Sequence, residues 1–409
     1  MNNLNILMVN NFFYPRGGAE ISLFNTAQLL KEKGHKVFFF SSHHPENYEY
    51  EYSQYFVRDI DFQGLSSVKA KIAGLGRAIW CKESQKKLEW FLKEHKIDIA
   101  HLNNINYRIS PSIISVLKGK KIPIVMHLRD YYLVCGNSLL LANGKICEAC
   151  RGGKYFNAIK VGCRDGLKGS GVIALSGFLH HKVLKIFDKV NYFISPSRFL
   201  IKEIEEMGFD FKERVVYLPN FVDTSRIEPE FSFEKKNIIY IGRLSLEKGL
   251  ETLLEAVKGL EINLEIAGEG PLKNRLEEKV KKEKISNIKF LGYLSDEKLA
   301  NKIKEGMASV VPSEWYENNP RSVLESFAYG KPVIGSNVGG IPELVRHGET
   351  GLLFEMGNAQ DLRARITEML QNPSKITEMG QKARKIVEDE YNQEIYYQRL
   401  KEVYEMACS

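Results

Sequence analysis

The sequence predicts an α/β protein made of two Rossmann-like, doubly wound domains that face each other across a cleft. Short apolar segments alternate with helical patterns along the whole chain, which is typical of parallel sheets covered by helices on both faces. This alternation restarts after a break in composition at Pro219–Pro229. A chain of 409 residues with 44% hydrophobic content can fill two such cores.

The first domain is predicted to span residues 1–220. It opens with a buried strand at Ile6–Val9, a turn-rich loop at Asn10–Gly18 and an amphipathic helix at Ala19–Lys33. Short apolar segments flanked by polar or turn residues predict its other strands, at Lys36–Ser41, Ile97–His101, Ile122–Met126, Asn191–Ile194 and Val215–Tyr217.

The second domain is predicted to span residues 221–385. Its strands and helices are expected to alternate at Asn237–Ile241, Leu250–Leu260, Ile262–Ala267, Leu272–Lys282, Ile288–Leu291, Asp296–Glu305 and Ala308–Val311. Leu250, Leu253, Leu254 and Val257 have the spacing of a helix that faces a core. The last segment, Pro373–Cys408, predicts two helices and no strand. Ligands of open α/β sheets bind outside the carboxyl ends of the strands, so the cleft is the expected site.

Two carboxylates eight positions apart, Glu317 and Glu325, lie across a predicted loop-to-helix junction. The loop contains Asn318 and Asn319, and Pro320 favours a helix start near Arg321. A helix start attracts anions such as a diphosphate, and carboxylates accept hydrogen bonds from sugar and ribose hydroxyls. An isolated pair with this spacing would more often be solvated charge.

The pair is not isolated, because the sequence continues as a helix, a stop at Gly330, a buried strand and a Gly339-Gly340 turn. This run resembles the donor-site signature of retaining glycosyltransferases of family 4, which have the GT-B fold. The resemblance implies a metal-independent, hexosyltransferase-type enzyme with a nucleoside-diphosphate sugar donor. It also implies that the terminal helix, residues 386–409, crosses back to the first domain.

Two cations, Arg243 and Lys248, lie in a loop bounded by glycines after the first strand of the second domain. A departing diphosphate gains charge as the glycosidic bond breaks, and cations placed there stabilise it. A lone pair with this spacing is usually exposed and solvated. Here the G-R-x4-K-G pattern matches the family's phosphate motif.

Other donor-binding residues follow from the same resemblance. Gly17 and Gly18 follow the first strand and permit close approach of the backbone to a phosphate or acceptor. The loop containing Gly268 and the turn at Tyr293 are where relatives hold the nucleobase, and Asn318 and Asn319 belong to the donor loop. None of these residues identifies the base.

His127 and Arg129 end a strand of the first domain, where the family places a histidine near the donor sugar and the acceptor. Relatives often read Leu-His-Asp-Tyr, and alignment without gaps puts Arg129 at the histidine position. Residues two apart on a strand point to the same face. Either residue is therefore a candidate, and a packed core histidine is the alternative for His127.

Four of the six cysteines cluster in the segment 135–163, as Cys135, Cys147, Cys150 and Cys163. In a reducing compartment this clustering suggests a metal before a disulfide. A structural zinc site is the leading interpretation. Packed thiols without metal and an iron–sulfur centre are the alternatives.

The net charge of +7 suits anionic nucleotides or anionic lipid, and nothing in the sequence indicates nucleic acid. No apolar window of membrane-spanning length and no signal peptide is present, so a cytoplasmic protein is expected, with peripheral contact at the inner face of the membrane as an option. The basic, amphipathic stretch Ser67–Lys96 is a candidate for that contact. A solvated helix packed on the domain is the alternative.

The predicted function is sugar transfer to a hydroxyl of a glycan or lipid-linked acceptor, in cell-surface polysaccharide or glycoconjugate synthesis. No catalytic cofactor is expected. Two alternatives are a sugar-nucleotide epimerase of similar architecture and a catalytically silent nucleotide-sugar-binding subunit. Discrimination requires a panel of nucleotide sugars, because the sequence identifies neither base, sugar, acceptor, linkage nor oligomeric state.

Overall fold

The computed structural model describes residues 3–59, 74, 76–164, 166–209 and 211–409. Contacts within the chain divide it into two compact units. The first unit comprises Met1–Asn143, Cys147–Leu218 and Tyr397–Ser409, and the second comprises Gly144–Ile146 and Pro219–Tyr396.

The strands occur in chain order at β1 (Asn5–Val9), β2 (Lys36–Phe40), β3 (Ile99–Leu102), β4 (Ile124–His127), β5 (Leu141–Ala142), β6 (Lys145–Ile146), β7 (Tyr192–Ser195), β8 (Val215–Tyr217), β9 (Asn237–Ile241), β10 (Asn263–Ala267), β11 (Ile288–Gly292), β12 (Ala308–Val311), β13 (Val333–Ser336) and β14 (Gly351–Phe354). Helices occur in chain order at α1 (Gly18–Glu32), α2 (Lys82–Glu94), α3 (Ile113–Gly119), α4 (Asn157–Val161), α5 (Gly166–Phe178), α6 (Arg198–Glu206), α7 (Leu250–Val257), α8 (Lys273–Lys282), α9 (Asp296–Glu305), α10 (Arg321–Ala328), α11 (Ile341–Leu344), α12 (Ala359–Gln371), α13 (Pro373–Asp389) and α14 (Gln393–Cys408).

Each unit is built on one parallel sheet, which has six strands among the described residues. The first sheet has the order β2-β1-β3-β4-β7-β8 and the second has the order β11-β10-β9-β12-β13-β14. The predicted fold class, two Rossmann-like sheets with flanking helices, is confirmed.

The strand order reverses once in each sheet, and this reversal positions the site. In the first unit β1 lies between β2 and β3, and in the second unit β9 lies between β10 and β12. At such a reversal, the loops that follow two neighbouring strands run to opposite faces of the sheet. A crevice therefore opens between these loops at the carboxyl ends of the strands. The loops after β1, β3, β9 and β12 are therefore the places to look for ligand-binding groups.

The core consists of the apolar strands and the helix faces that cover them. Ile6 to Val9 of β1 are fully buried, and Leu250, Leu253, Leu254 and Val257 of α7 are 0–1% exposed, as their spacing predicted. Helix α7 ends at Val257 and not at Leu260, because Gly259 has a left-handed φ of 72°.

The terminal segment forms two helices, α13 and α14, as predicted. The residues of α14 from Tyr397 onward belong to the first unit. The hydroxyl of Tyr397 lies 3.0 Å from Nε2 of His35, and that of Tyr404 lies 2.6 Å from Nδ1 of His101. No helix within the described ranges is long and apolar enough to cross a membrane.

Candidate functional site

A buried ion pair lies at the switch point of the second sheet. Lys248 comes from the loop after β9 and Glu317 from the loop after β12, and Lys248 Nζ donates to Glu317 Oε1 at 2.6 Å. The Lys248 ammonium also lies 5.0 Å from the centre of the Trp315 ring. Two chain segments about 70 residues apart in sequence thus meet where the strand order reverses.

Glu317 remains ionised in this position. Burial alone would raise the pKa of its carboxyl group, but the charge and hydrogen bond of Lys248 and a hydrogen bond from Ser313 outweigh burial and lower the pKa. The hydroxyl of Ser313 donates to Glu317 Oε1 at 2.6 Å. The carboxylate is thus held as a preoriented acceptor for hydroxyl donors.

Two glycines permit the loops around this ion pair to pack together. Gly249 has φ 64°, and a Cβ placed on it would lie 1.9 Å from the Pro312 carbonyl oxygen. Gly339 has φ 60°, and a Cβ there would lie 2.4 Å from the Glu317 carbonyl oxygen. The neighbouring Gly340 N–H donates to that same oxygen at 2.7 Å. The backbone on both sides of Glu317 is therefore fixed by close contacts.

Arg243 begins the same loop as Lys248 but has a different environment. Its side chain is exposed, and its guanidinium has no ion-pair partner among the residues that the structure describes. Its carbonyl oxygen accepts a hydrogen bond of 2.8 Å from the hydroxyl of Tyr240, which anchors the loop. Arg243 is thus a cation available to an anionic ligand, whereas Lys248 already has a carboxylate partner.

Glu325 lies one turn inside α10 and is half-buried. It accepts a hydrogen bond of 2.8 Å from Nη2 of Arg321, the first residue of that helix, and the two side chains form an ion pair. Nε of Arg321 is buried with no hydrogen-bond partner in the described part of the chain. The side chains of Arg321 and Glu325 thus hold each other at the helix start.

The two asparagines of the donor loop differ in their surroundings. Asn318 is half-buried, and Asn319 is 8% exposed. The Asn319 side-chain oxygen accepts from the Asn220 N–H at 3.1 Å, and its carbonyl oxygen accepts from Asn220 Nδ2 at 3.0 Å. These bonds give Asn319 a role in fixing the loop.

The predicted nucleobase region lies at the ends of β10 and β11. Gly268 has φ 144°, and a Cβ there would lie 1.9 Å from the Gly242 carbonyl oxygen, so only glycine fits between the two loops. The Gly268 N–H donates to the Gly292 carbonyl oxygen at 2.8 Å. Tyr293, which follows, is 79% exposed. An exposed aromatic ring beside a tight backbone loop is a suitable surface for a planar base.

In the first unit, Gly17 and Gly18 lie where α1 begins. Gly17 has an extended φ of −173° and caps α1, and among the described residues only the Glu20 side chain comes within 4 Å of a Cβ built on it. Neither residue has a positive φ. The helix start beside Gly17 therefore has room for a ligand group. Glu20, which follows, is buried, and burial raises the pKa of its carboxyl group.

His127 is enclosed by the first unit. It is 1% exposed, its ring stacks on that of His101 with centroids 5.7 Å apart, and neither ring nitrogen has a hydrogen-bond partner in the described residues. Burial, the charge of Arg129 and the neighbouring His101 lower the pKa of His127 well below its usual value. These surroundings favour the neutral form of the ring.

Arg129 is the more accessible of the two strand-end candidates. It is half-buried, and its Nε donates to Asn103 Oδ1 at 3.1 Å. Asp130 beside it accepts from the Tyr132 N–H at 2.9 Å, and burial raises the pKa of its carboxyl group to about 6. The loops after β3 and β4 thus present one fixed cation and one carboxyl group that titrates close to neutrality.

The four clustered cysteines, Cys135, Cys147, Cys150 and Cys163, line one small cavity and are all half-buried free thiols. Burial, with the nearby thiols of the cluster, raises the pKa of Cys150 to about 12. Within the described ranges, no three His, Cys, Asp or Glu side chains are arranged to hold a metal ion. The cysteines converge as the sequence suggested, as free thiols.

Two residues of the site were not predicted from the sequence. Ser313 and Trp315 lie in the same loop as Glu317 and contact Glu317 and Lys248 respectively. Their spacing of four and two positions from Glu317, respectively, was the available signal. The predicted membrane-contacting stretch Ser67–Lys96 lies partly outside the described residues, because residues 67–73 and 75 are not among them.

Comparisons with known proteins agree on one family. A family model described as Glycosyltransferase Family 4 matches residues 16–226, and one described as Glycosyl transferases group 1 matches residues 222–386. The chain is 29% identical over 358 residues to an uncharacterized 42.6 kDa protein in the cps region of Klebsiella pneumoniae, covering 84% of this chain and 88% of that protein.

A second relative is an uncharacterized glycosyltransferase of Methanocaldococcus jannaschii, which is 27% identical over 241 residues; the match covers 58% of this chain and 66% of that protein. The crystal structure of HepE from Anabaena in complex with UDP and glucose superposes with a TM-score of 0.69 at 16% identity, over 98% of this chain and all of that one. This last similarity shows the fold. On the family models, the chain belongs to glycosyltransferase family 4.

Proposed function

We propose that the chain is a retaining, hexosyltransferase-type enzyme that transfers a sugar from a nucleoside-diphosphate sugar to a hydroxyl of a glycan or lipid-linked acceptor. The observation that carries this proposal is the buried Lys248–Glu317 pair at the switch point of the second sheet, in the same loop system as the exposed Arg243. The UDP and glucose bound to the structural neighbour HepE, and the cps region of the Klebsiella relative, support a nucleotide-sugar donor and a role in polysaccharide synthesis.

The proposed chemistry is cleavage of the bond between the anomeric carbon and the β-phosphate oxygen. Negative charge then builds on the diphosphate, and Arg243 and Lys248 would stabilise it. Arg243 offers paired donors in one plane and Lys248 a point charge. The acceptor hydroxyl oxygen forms the new bond to the anomeric carbon, and its proton passes to the departing phosphate. Retention of configuration is what the family resemblance implies.

The carboxylates divide the recognition of the donor in this proposal. Glu317, fixed by Lys248 and Ser313, accepts hydrogen bonds from hydroxyls of the transferred sugar. Glu325, held by Arg321, accepts them from the ribose. Asn318 and Asn319 contribute amide groups, and Gly268 and Tyr293 receive the base.

On the first unit, Gly17 and Gly18 would leave room for the acceptor or a phosphate at the start of α1. Arg129 would contact the sugar or the acceptor. His127 is enclosed, so it would support Arg129 by packing or contribute a hydrogen bond through an uncharged ring nitrogen. The reaction is proposed to take place in the cytoplasm, at the inner face of the membrane when the acceptor is lipid-linked.

The transfer itself is proposed to require no metal ion. A structural zinc ion at Cys135, Cys147, Cys150 and Cys163 remains a prediction, supported by the convergence of four thiols on one cavity. Binding would displace the thiol protons and order the loop. Elemental analysis of protein purified without chelator should find about one zinc per chain, and less in Cys147→Ser. Protein that contains neither zinc nor iron contradicts the prediction.

Incubation with a panel of UDP-, GDP- and ADP-sugars without acceptor tests the proposed activity. We expect slow hydrolysis of one donor, and its loss in Arg243→Ala. Formation of an epimer would instead support the epimerase alternative, and binding without turnover would support a silent nucleotide-sugar-binding subunit. Neither alternative is favoured by the comparisons.

Isothermal titration with the free nucleoside diphosphate tests the two carboxylate roles. Glu325→Ala should weaken this binding, whereas Glu317→Gln should affect the intact sugar donor more than the diphosphate. Glu255→Ala, an exposed carboxylate on α7, serves as the matched control. Unchanged diphosphate affinity in Glu325→Ala would show that the two roles are assigned wrongly.

A further inference from the structure

Exposed apolar side chains concentrate in one segment of the first unit. Among the large apolar residues that the structure describes as exposed, five lie between residues 156 and 184, namely Phe156 (53% exposed), Leu175 (45%), Phe178 (37%), Val183 (57%) and Leu184 (36%). The rings of Phe156 and Phe178 are in contact, with centroids 5.7 Å apart. Single exposed apolar residues are ordinary, but a cluster indicates an interaction surface.

Helix α5 explains why these side chains reach the surface. Its inner side carries Ile173 and Ala174, which are buried in a small core with Ala158. Its outer side carries Leu175 and Phe178, three positions apart and hence one turn along the same face. A helix of a water-soluble domain normally presents polar groups on the face turned away from the core. Among the described side chains of α5, apolar residues lie on both sides of the helix.

The helical turn that follows α5 extends the surface and adds positive charge. Val183 and Leu184 are exposed together with Lys182 and Lys185. Lys154 and Lys160, on either side of Phe156 in the chain, are exposed as well. None of these four lysines has an ion-pair partner among the described residues. The five apolar side chains and the four lysines together are named the apolar–basic face.

An open cavity of about 290 Å³ adjoins this face and adds one further cation, Arg214. Lys182, Arg214, Tyr155 and His181 line it, with Asp188 as the one carboxylate of the lining. The Tyr155 hydroxyl is buried with no hydrogen-bond partner in the described residues. A phosphate headgroup has the charge and the acceptor oxygens that such a lining would bind.

We propose that the apolar–basic face docks the chain on an anionic lipid surface, with the apolar side chains in the acyl boundary and the lysines at headgroup phosphates. Helix α5 has 13 residues, too few to span a bilayer but sufficient to lie in the interface. Lipid fits better than a second copy of the chain, because four unpaired lysines on each copy would repel. This surface differs from the stretch Ser67–Lys96 that the sequence suggested. The proposal rests on the proposed function in one respect: docking would bring the enzyme to a lipid-linked acceptor.

Flotation of the full-length protein with vesicles tests the proposal without relying on transferase activity. We expect binding to vesicles of 30% phosphatidylglycerol in phosphatidylcholine at about 0.15 M salt, and little binding to phosphatidylcholine alone. The double change Phe156→Ser and Phe178→Ser should reduce partitioning at least tenfold. The double change Lys182→Glu and Lys185→Glu should reduce it at least fivefold for each lysine, on anionic vesicles only.

Matched controls are available on other surfaces of the first unit. Met406→Ser changes an exposed apolar residue of α14, and Lys118→Glu with Lys120→Glu changes an exposed lysine pair in and beside α3. Both should bind vesicles as the wild type does. Trp90→Ser tests the competing stretch around α2, and its variant should also bind normally. Circular dichroism and nucleotide binding establish that each variant is folded.

Three outcomes overturn the proposal. The wild type does not float with anionic vesicles, or the Phe156→Ser and Phe178→Ser variant floats as well as the wild type, or sedimentation shows a dimer that these substitutions disperse. If vesicles bind but no nucleotide sugar is hydrolysed, the docking surface stands and the proposed enzymatic function fails. If the protein transfers sugar to a soluble acceptor but does not bind vesicles, the proposed enzymatic function stands and the docking surface fails.

Discussion

At the scale of single residues, the Lys248–Glu317 pair combines a stabilising contact with a proposed catalytic one. Both side chains are largely buried, at 21% and 10% exposure, so the energies of the two charges depend strongly on each other. Removing one partner of a buried pair leaves the other charge without compensation, which costs more than the pair contributes. Stability and turnover should therefore respond differently to single and double substitutions.

Lys248→Met is expected to lower turnover by about 10²–10³-fold and the free energy of unfolding by about 3 kcal/mol. Without the lysine, burial would raise the pKa of Glu317. Adding Glu317→Gln should restore most of the stability, because no buried charge then remains, but none of the turnover. Urea unfolding and donor hydrolysis measure the two quantities. Additive losses of stability in the double variant would contradict this coupling.

Lys331 gives the second unit a specific dependence of stability on pH. The residue is 2% exposed, its Nζ donates to the Ser232 carbonyl oxygen at 2.8 Å, and burial lowers its pKa to about 8. Between pH 8 and 10.5 the unfolded chain keeps the Lys331 proton while the folded chain has released it. The unfolded state then binds more protons, so this residue makes stability rise with pH across that window.

The measurement compares urea unfolding of the wild type and Lys331→Met from pH 7 to 10.5. The difference in the free energy of unfolding, wild type minus variant, should increase by up to about 3 kcal/mol between pH 8 and 10.5. Below pH 7 this difference should not change with pH. Lys298→Met is the control, because Lys298 is exposed. A constant difference across the whole range would rule out the titration of Lys331 as its cause.

At the scale of elements, the strands and helices with strong apolar patterns were predictable from the sequence. β1, β9 and α7 lie where their patterns placed them, with ends differing by a few residues. α5 was not predicted, because four glycines and two serines among its 13 residues obscure the period of a helix. β14 and α12 follow the Gly348 turn and were also missed.

The side-chain contacts of the site could not be predicted from the sequence. Glu317, Lys248 and Arg243 were identified as residue types in a motif, and their roles remain predictions. That Arg243 is exposed while Lys248 is paired, or that Asn319 bonds Asn220, depends on which loops the sheet brings together. Such contacts join residues up to 99 positions apart, and no local pattern encodes them.

Helix α7 is flanked by two glycines with left-handed backbone that provide a matched comparison. Gly249 has φ 64° and no room for a Cβ beside Pro312, whereas a Cβ on Gly259, which has φ 72°, would meet no atom of the described residues within 4 Å. Gly249→Ala should cost more than about 2 kcal/mol of stability and weaken nucleotide binding, since Lys248 would shift with the loop. Gly259→Ala should cost about 1 kcal/mol and leave binding intact.

Chemical denaturation and nucleotide titration of both variants check this expectation. Equal losses of stability in the two variants would mean that the loop after β9 adapts without strain. Normal nucleotide affinity in Gly249→Ala would show that the Lys248 ammonium keeps its position when the loop geometry changes.

At the scale of the whole molecule, the last helix contributes buried hydrogen bonds to the first unit. Tyr404→Phe removes the partner of His101 Nδ1, and an unsatisfied buried nitrogen costs about 1–3 kcal/mol. Hydrogen exchange should then show faster opening of β3 and β4, while β9 and β12 exchange as in the wild type. Tyr48→Phe, at a 52% exposed side chain, is the control. Equal protection of β3 and β4 in Tyr404→Phe and wild type would contradict the assigned contribution.

The first unit contains residues from both ends of the sequence: its first strand, β1, and the segment Tyr397–Ser409. During translation its sheet is finished at Tyr217, but the residues that partner His35 and His101 are still unmade. Ribosomes add about 5–20 residues per second, so the sheet waits roughly 10–35 s for them. The part of the protein made first is thus completed last. A nascent chain halted before Tyr397 should expose the first unit to protease.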